Sequence, residues 1–242
     1  MFVTGKTDIG KFREENQDRF RISMPDDDTI IAIVCDGMGG AAAGGLAGEM
    51  AAGAVYERLE LSFRPGMEPK SIKALLLSAV AAANTLIYNK AGEIPENHGM
   101  GTTCVAAIIH NGLMSVVNVG DSRAYIMNEA GITQVTTDHT MVEYLRSKGL
   151  IEESEMKVHH MRNVITRAVG VDETVEPDYF EVEVKPGDYV LFCTDGLTGY
   201  INDELIYSTT YKRPLETAVS ELVDRVNALN GKDNITAVLA VI

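Results

Sequence analysis

At 242 residues, 45% hydrophobic and 23% charged, the chain can bury a substantial core and is too apolar for a disordered one, so a single domain over 1–242 is expected. Its 35 acidic against 21 basic residues leave a formal charge of −14. That balance excludes a nonspecific binder of nucleic acid or of an anionic membrane, because phosphate groups attract cationic surfaces.

Residues 1–13 carry no apolar signal core, and no run approaches the ~18 consecutive apolar residues of a membrane span. The first strand signal is the continuous apolar run 29–35. Two long amphipathic helices are predicted next, over 41–61, rich in alanine, and over 69–91, which opens on proline. Cys104–His110 and Leu113–Val119 flank an Asn-Gly turn, and with 123–127 they predict an antiparallel meander. Residues 142–178 are polar and poorly periodic, and read as a short-helix excursion beside a site; Thr140 is placed to cap its first helix, through 148. Strands follow at 180–184 and 189–194 around Lys185-Pro186-Gly187-Asp188. Asn202 caps a short helix, 214–229 has helical period, and 235–242 is a last strand. With turns too short for parallel crossovers, antiparallel sheets covered by helices are expected. Cys35, Cys104 and Cys193 lie in apolar runs without Cys-x-x-Cys spacing, as reduced core residues of a cytoplasmic protein.

Aspartates stand where apolar runs end or begin. Asp36 follows 30–35 and leads into Gly37-Met38-Gly39-Gly40, Asp195 follows 189–194, and Asp233 precedes the last strand. If the strand after Asp233 runs antiparallel to those before Asp36 and Asp195, all three carboxylates reach one sheet edge. Converging carboxylates repel one another without a cation, and hard oxygen ligands suit Mg²⁺ or Mn²⁺. Asp121, in Gly120-Asp121-Ser122, stands at another strand end. Arg13 adds a guanidinium able to hold two phosphoryl oxygens through parallel hydrogen bonds.

These residues resemble the metal-dependent protein serine/threonine phosphatases of type 2C, the PPM family, in their bacterial form. The resemblance rests on Asp8-x-Gly10-x-x-Arg13-x-x-Asn16-Gln17-Asp18, Asp36-Gly37-Met38-Gly39-Gly40, Gly99-Met100-Gly101-Thr102-Thr103, Val119-Gly120-Asp121-Ser122-Arg123, Asp138-His139-Thr140, Asn163-Val164-Ile165-Thr166-Arg167, Thr194-Asp195-Gly196-Leu197 and Asp233-Asn234-Ile235-Thr236. It implies an α+β fold, a four-layer αββα sandwich of two antiparallel sheets between helices, with 142–178 as a flap. It further implies a binuclear Mg²⁺ or Mn²⁺ centre in which Asp36 bridges both metals, Asp195 and Asp233 complete the first, and the Gly37 carbonyl binds the second. Asp121 would help Asp195 hold a weaker third metal, Asp18 would reach a metal-bound water, and Arg13 would bind phosphate. The implied reaction is hydrolysis of phosphoserine and phosphothreonine on proteins, targets of a serine/threonine kinase, by a metal-bridging hydroxide without a phosphoenzyme. A monomer is expected.

Two positions depart from the family pattern. Met38 stands where many eukaryotic relatives carry histidine and cannot protonate a leaving group, which makes metal-bound water and His160 the candidates for general acid. Gln17 replaces a glutamate that often stands beside the second metal. Two rivals are a phosphoprotein-binding module without turnover and a dinucleotide-binding enzyme, the latter suggested by Gly37-x-Gly39-x-x-Ala42. A closer alternative narrows the substrate to a phosphorylated anti-anti-sigma-type regulator.

Overall fold

The computed structural model describes residues 1–39 and 43–242. Gly40 of the glycine motif, Ala42 of the dinucleotide-like string and the expected helix start at 41 lie outside the described residues. In chain order the elements are β1 (Phe2–Asp8), β2 (Asp18–Asp26), β3 (Thr29–Met38), α1 (Ala43–Ser62), α2 (Pro69–Glu93), β4 (Gly101–Thr102), β5 (Cys104–His110), β6 (Leu113–Val119), β7 (Arg123–Asn128) and β8 (Gly131–Gln134). There follow α3 (Met141–Ser147), α4 (Glu153–Met156), β9 (Asp178–Glu183), β10 (Tyr189–Cys193), α5 (Asp195–Thr198), α6 (Asp203–Thr210), α7 (Leu215–Ala228) and β11 (Ile235–Val241).

Two antiparallel sheets face each other, one ordered β1-β11-β10-β7-β8 and the other β2-β3-β5-β6-β9 with β4 added on β3. Alternation along each central strand serves both faces. In β3, Ile30, Ala32 and Val34 point at the opposing sheet, while Ile31, Ile33 and Cys35 pack under α1 and α2. In β10, Val190 and Phe192 face inward and Leu191 and Cys193 meet α7. A strand buried on both faces reads as an unbroken apolar run, which is why these strands were legible. The result is the expected α/β/β/α sandwich. The three cysteines are free and buried.

By length and composition α2 could cross a membrane; instead Ile72, Leu76, Val80, Ala83 and Ile87 are buried against α1 and the sheet. Small residues let α1 come close to β3: a Cβ on Gly37 would lie 2.1 Å from the Gly44 carbonyl oxygen. Thr140 and Asn202 cap as expected, their side chains accepting from Glu143 N–H and Leu205 N–H at the starts of α3 and α6.

Three expectations are corrected. The meander does not form: β5 and β6 are a hairpin, but β7 leaves for the other sheet and pairs with β10. The chain turns out of β6 at Gly120, whose φ of +102 is a left-handed value that glycine tolerates. Likewise β9 pairs with β6 while β10 joins β7 and β11, so the turn at 185–188 crosses between sheets and closes no hairpin. The third correction concerns β3, which continues through Asp36 to Met38, its last two residues pairing with β4. Asp36 therefore sits inside the strand rather than after it. Because β3 is antiparallel to both β2 and β5, it lacks the parallel neighbours of a dinucleotide fold. Strands β1 and β2 were not anticipated, since they are mostly half-buried and polar.

Candidate functional site

The carboxylates assemble where the two sheets meet. Register places Asp18 of β2 opposite Asp36 of β3. In the other sheet, the antiparallel pairing of β10 with β11 brings Asp195, just past Cys193, to the same edge as Asp233, just before Ile235, which meets the condition set by the sequence. Asp121 lies in the crossover from β6 to β7. Their mutual influence is direct: burial chiefly, then Asp18, Asp195, Asp121 and Asp233, push the Asp36 carboxyl well above the ordinary carboxylate range. Asp36 keeps some surface open to solvent, yet protein encloses its carboxylate deeply enough for desolvation to dominate.

Asp18 is 1% exposed, and burial raises its pKa to about 7 although hydroxyls of Thr236 and Thr194 donate to its Oδ2 from 2.7 and 2.8 Å. Burial, followed by repulsion from Asp195 and Asp138, lifts Asp121 to about 8. The pKa of Asp195 is also raised, by burial and then by Asp233, and its carboxyl lies within hydrogen-bonding reach of Asp36.

Arg13 reaches the cluster from the loop between β1 and β2. Its Nη2 donates to Asp233 Oδ2 at 2.8 Å while half of the side chain remains exposed, and that bond chiefly raises the guanidinium pKa. Asn234, buried beside Asp233, latches this loop: its Oδ1 accepts from Gln17 N–H at 2.9 Å, and its Nδ2 donates to the carbonyls of Ile9 and Glu15 at 2.9 and 3.0 Å. Thr103 braces Asp36 from the far side, its Oγ1 accepting from Asp36 N–H at 2.9 Å. The sequence reading quoted Asn234 and Thr103 inside motifs without giving either a task. For Asn234 the available signal was its place directly after Asp233.

Close backbone approach makes the site intolerant of bulk. A Cβ on Gly196 would fall 1.8 Å from the Asn234 carbonyl oxygen, so Gly196→Ala is expected to cost about 3 kcal/mol or more. Urea unfolding measures this; unchanged stability would mean that the approach is not tight.

His160 is exposed and stacks on His159, ring centroids 4.5 Å apart, without a contact to the carboxylates. Met38 ends β3 and Gly37 N–H donates to the Gln17 carbonyl at 3.2 Å. The broad surface hollows along α7, at Glu216 and Asp224, and beside His98 and Val171 include none of the site residues.

Among the described residues, no group of three or more His, Cys, Asp and Glu side chains forms a ready metal cage. Each Asp233 oxygen accepts one hydrogen bond, Oδ2 from Arg13 and Oδ1 from Asn234 N–H, and keeps a lone pair for a cation. The donor chemistry nonetheless fits a hard divalent cation. Asp18 Oδ1, Asp121 Oδ1 and Asp195 Oδ1 are buried without any hydrogen-bond partner, and orphaned carboxylate oxygens facing like charges are what a cation would satisfy.

Residues 11–240 match the family described as Protein phosphatase 2C. The chain is 34% identical over 240 residues, 99% of its own length and 95% of the relative's, to the serine/threonine phosphatase Stp of Listeria monocytogenes. To the serine/threonine protein phosphatase PstP of Mycobacterium tuberculosis it is 33% identical over 235 residues, 97% of this chain and 44% of that one. Among solved structures it superposes on a bacterial serine phosphatase with a TM-score of 0.91 at 34% identity, covering 100% of this chain and 98% of the other. The M. tuberculosis PstP/Ppp phosphatase structure gives 0.89 at 31% identity, with 100% and 98% covered.

Proposed function

This chain belongs to the protein phosphatase 2C family and is a protein serine/threonine phosphatase, and from that premise we propose how its carboxylate edge performs the hydrolysis. Asp36, Asp195 and Asp233, with the Gly37 carbonyl, would hold two Mg²⁺ or Mn²⁺ ions, and Asp121 would help Asp195 hold a third more weakly. The observation that carries this is the set of orphaned buried oxygens on Asp18, Asp121 and Asp195. Bound there, the ions would supply Lewis acidity that makes water, rather than a side chain, available as the nucleophile near neutral pH.

The chain's own residues do the positioning. Arg13, exposed on one side and tethered to Asp233 on the other, swings its fork to two oxygens of the phosphoryl group and holds phosphorus in line for attack. Asp18 has one oxygen fixed by Thr194 and Thr236, and the free one would orient water at the cluster. Ser122, next to Asp121, is fully buried with its Oγ 2.7 Å from Thr103 Oγ1, and Cys35, next to Asp36, is fully buried as well, so neither is open to a phosphoprotein as a covalent acceptor, in keeping with hydrolysis without a phosphoenzyme. The leaving alkoxide takes its proton from solvent held at the centre, since Met38 has none to give and His160 lies stacked on His159. Substrates are phosphoproteins made by a serine/threonine kinase, met by a monomer in the cytoplasm. The buried free thiols agree with that compartment.

The test is phosphate release from a ³²P-phosphothreonine peptide with Mn²⁺ and with EDTA, followed by acid quench. Turnover only with Mn²⁺ and no label on the protein is expected. Undiminished activity in EDTA would end the metal mechanism, and protein-bound label would end direct attack by water.

A further inference from the structure

None of these steps uses His139, which is 6% exposed and sits where several chain segments meet. Its main-chain N–H donates to the Gly120 carbonyl at 2.9 Å, and its own carbonyl accepts from Thr166 N–H at 2.8 Å. The ring repeats the grip, with Nδ1 accepting from Gly120 N–H at 3.1 Å. An acceptor at Nδ1 places the ring proton on Nε2, which faces Asp178 Oδ2 at 3.3 Å, a charge contact rather than an aligned hydrogen bond. Asp178 is itself held by Arg167 Nη1 at 2.7 Å. The remaining charged neighbour, Asp138, is engaged by Arg123 through a two-pronged pair of 2.9 and 2.6 Å.

Gly120 is the residue before Asp121, and its left-handed backbone aims that carboxylate. A Cβ there would strike Thr103 at 2.6 Å. Ser122 Oγ, on the other side of Asp121, lies 2.7 Å from Thr103 Oγ1, the atom that accepts from Asp36 N–H. The turn is thus tied to Asp36 through Ser122 and Thr103, and to the rest of the fold through His139. Asp121 Oδ1 is left buried and unpartnered in between.

We infer that His139, held as the Nε2–H tautomer against Asp178, is a positioning residue for divalent-cation binding by Asp121, because its ring fixes the Gly120 turn that delivers this carboxylate to the cluster. The inference rests on the reading of the carboxylates as a cation site. Contacts outside the ligand shell that fix a ligand's orientation govern how tightly a metal is held. Residue 139 also ties the start of the excursion to its later part, since Thr140 pairs with Ile165 and Thr166 bonds to the His139 carbonyl.

The full-length chain, stripped with EDTA, is titrated with Mn²⁺ while free Mn²⁺ is read by electron paramagnetic resonance. His139→Leu removes the acceptor and is expected to weaken the weakest class of Mn²⁺ sites about tenfold or more, leaving the tighter class within about threefold. His139→Asn, whose Oδ1 can stand in for Nδ1, is expected to restore most of the loss. An unchanged isotherm for His139→Leu, or equal weakening of every class, overturns the inference. A wild-type chain that binds no Mn²⁺ at all overturns the cation reading beneath it, so the two failures are distinguishable. Should His139→Leu fail to fold, ¹⁵N shifts of the His139 ring in the wild type decide: a protonated Nδ1 overturns the inference, and a bare Nδ1 with protonated Nε2 supports it.

Discussion

Asp36→Ala and Asp36→Asn are expected to lose about 10³-fold or more in phosphopeptide hydrolysis, at least ~4 kcal/mol of transition-state stabilisation, and yet to melt above the parent in EDTA. The first half follows from position. Asp36 faces Asp18 across the β2–β3 pair, lies within reach of Asp195 and is braced by Thr103, so no other carboxylate can take its place between the sheets. The second half follows from charge. A buried carboxyl whose affinity for its proton is raised by burial and by four neighbouring aspartates is a source of instability when nothing cationic faces it. Replacement by the neutral amide is expected to add about 1–3 kcal/mol, roughly 2–12 °C in Tm for a chain of this length. Mn²⁺, which should raise the parent's Tm, should do little for either variant. Thermal melts in EDTA and in Mn²⁺ check both halves. A variant that melts below the parent in EDTA sinks the view of the cluster as repulsive, and one that keeps full turnover removes Asp36 from the site.

Without divalent cation the protein should lose stability as pH rises from about 4 to 8, the reverse of the usual behaviour of paired carboxylates. Folded Asp18 keeps its proton to about 7 and Asp121 to about 8, with Asp36 and Asp195 raised as well. Unfolded aspartate releases its proton near 3.8. Across that window the folded state binds more protons, so the slope of unfolding free energy with pH is negative, and it levels off once the folded groups have ionised. Two groups act differently. His139 has its pKa lowered by burial and then by Arg167, so below 6.5 it adds stability with rising pH. Burial works to raise Asp178, but the bond from Arg167 and the nearby His139 ring leave it below its ordinary value, and its contribution fades only below the window. Four raised carboxyls outweigh one imidazole, so the net change from pH 5 to 8 should be a loss of stability. Saturating Mn²⁺ should cancel the decline, because the cation binds the ionised form and displaces its protons. Urea melts at pH 5, 6, 7 and 8, with EDTA and with Mn²⁺, measure this. Stability that climbs with pH in EDTA would show that these carboxylates are compensated within the protein.

Much of the site was legible because its residues mark strand ends. Asp36, Asp195 and Asp233 each adjoin an apolar run, and glycine directly follows the first two. The residues that hold them in place were harder to see. Asn234 reaches Gln17, Glu15 and Ile9 across more than 200 positions of sequence, and His139 acts on Asp121 through the backbone of Gly120. Neither carries a local pattern, since a lone Asn or His after an aspartate is common in turns. Strands β1 and β2 were missed for a related reason: residues such as Thr4, Lys6, Arg19 and Arg21 leave no apolar stripe, and β1 and β2 each end a sheet.

By itself the amino-acid sequence determined which segments are buried on both faces, where the long helices run, and that several carboxylates stand at the mouths of strands. These are consequences of side-chain periodicity and of capping and turn chemistry, all of them local. Tertiary structure alone decided that β6 and β7, and then β9 and β10, part into different sheets, and that Asp18 stands opposite Asp36. Sheet partners are chosen by backbone hydrogen bonds that every residue except proline can make, so the choice falls to packing across the whole core. That packing forces the buried aspartates together, and their repulsion is the physical basis of the site.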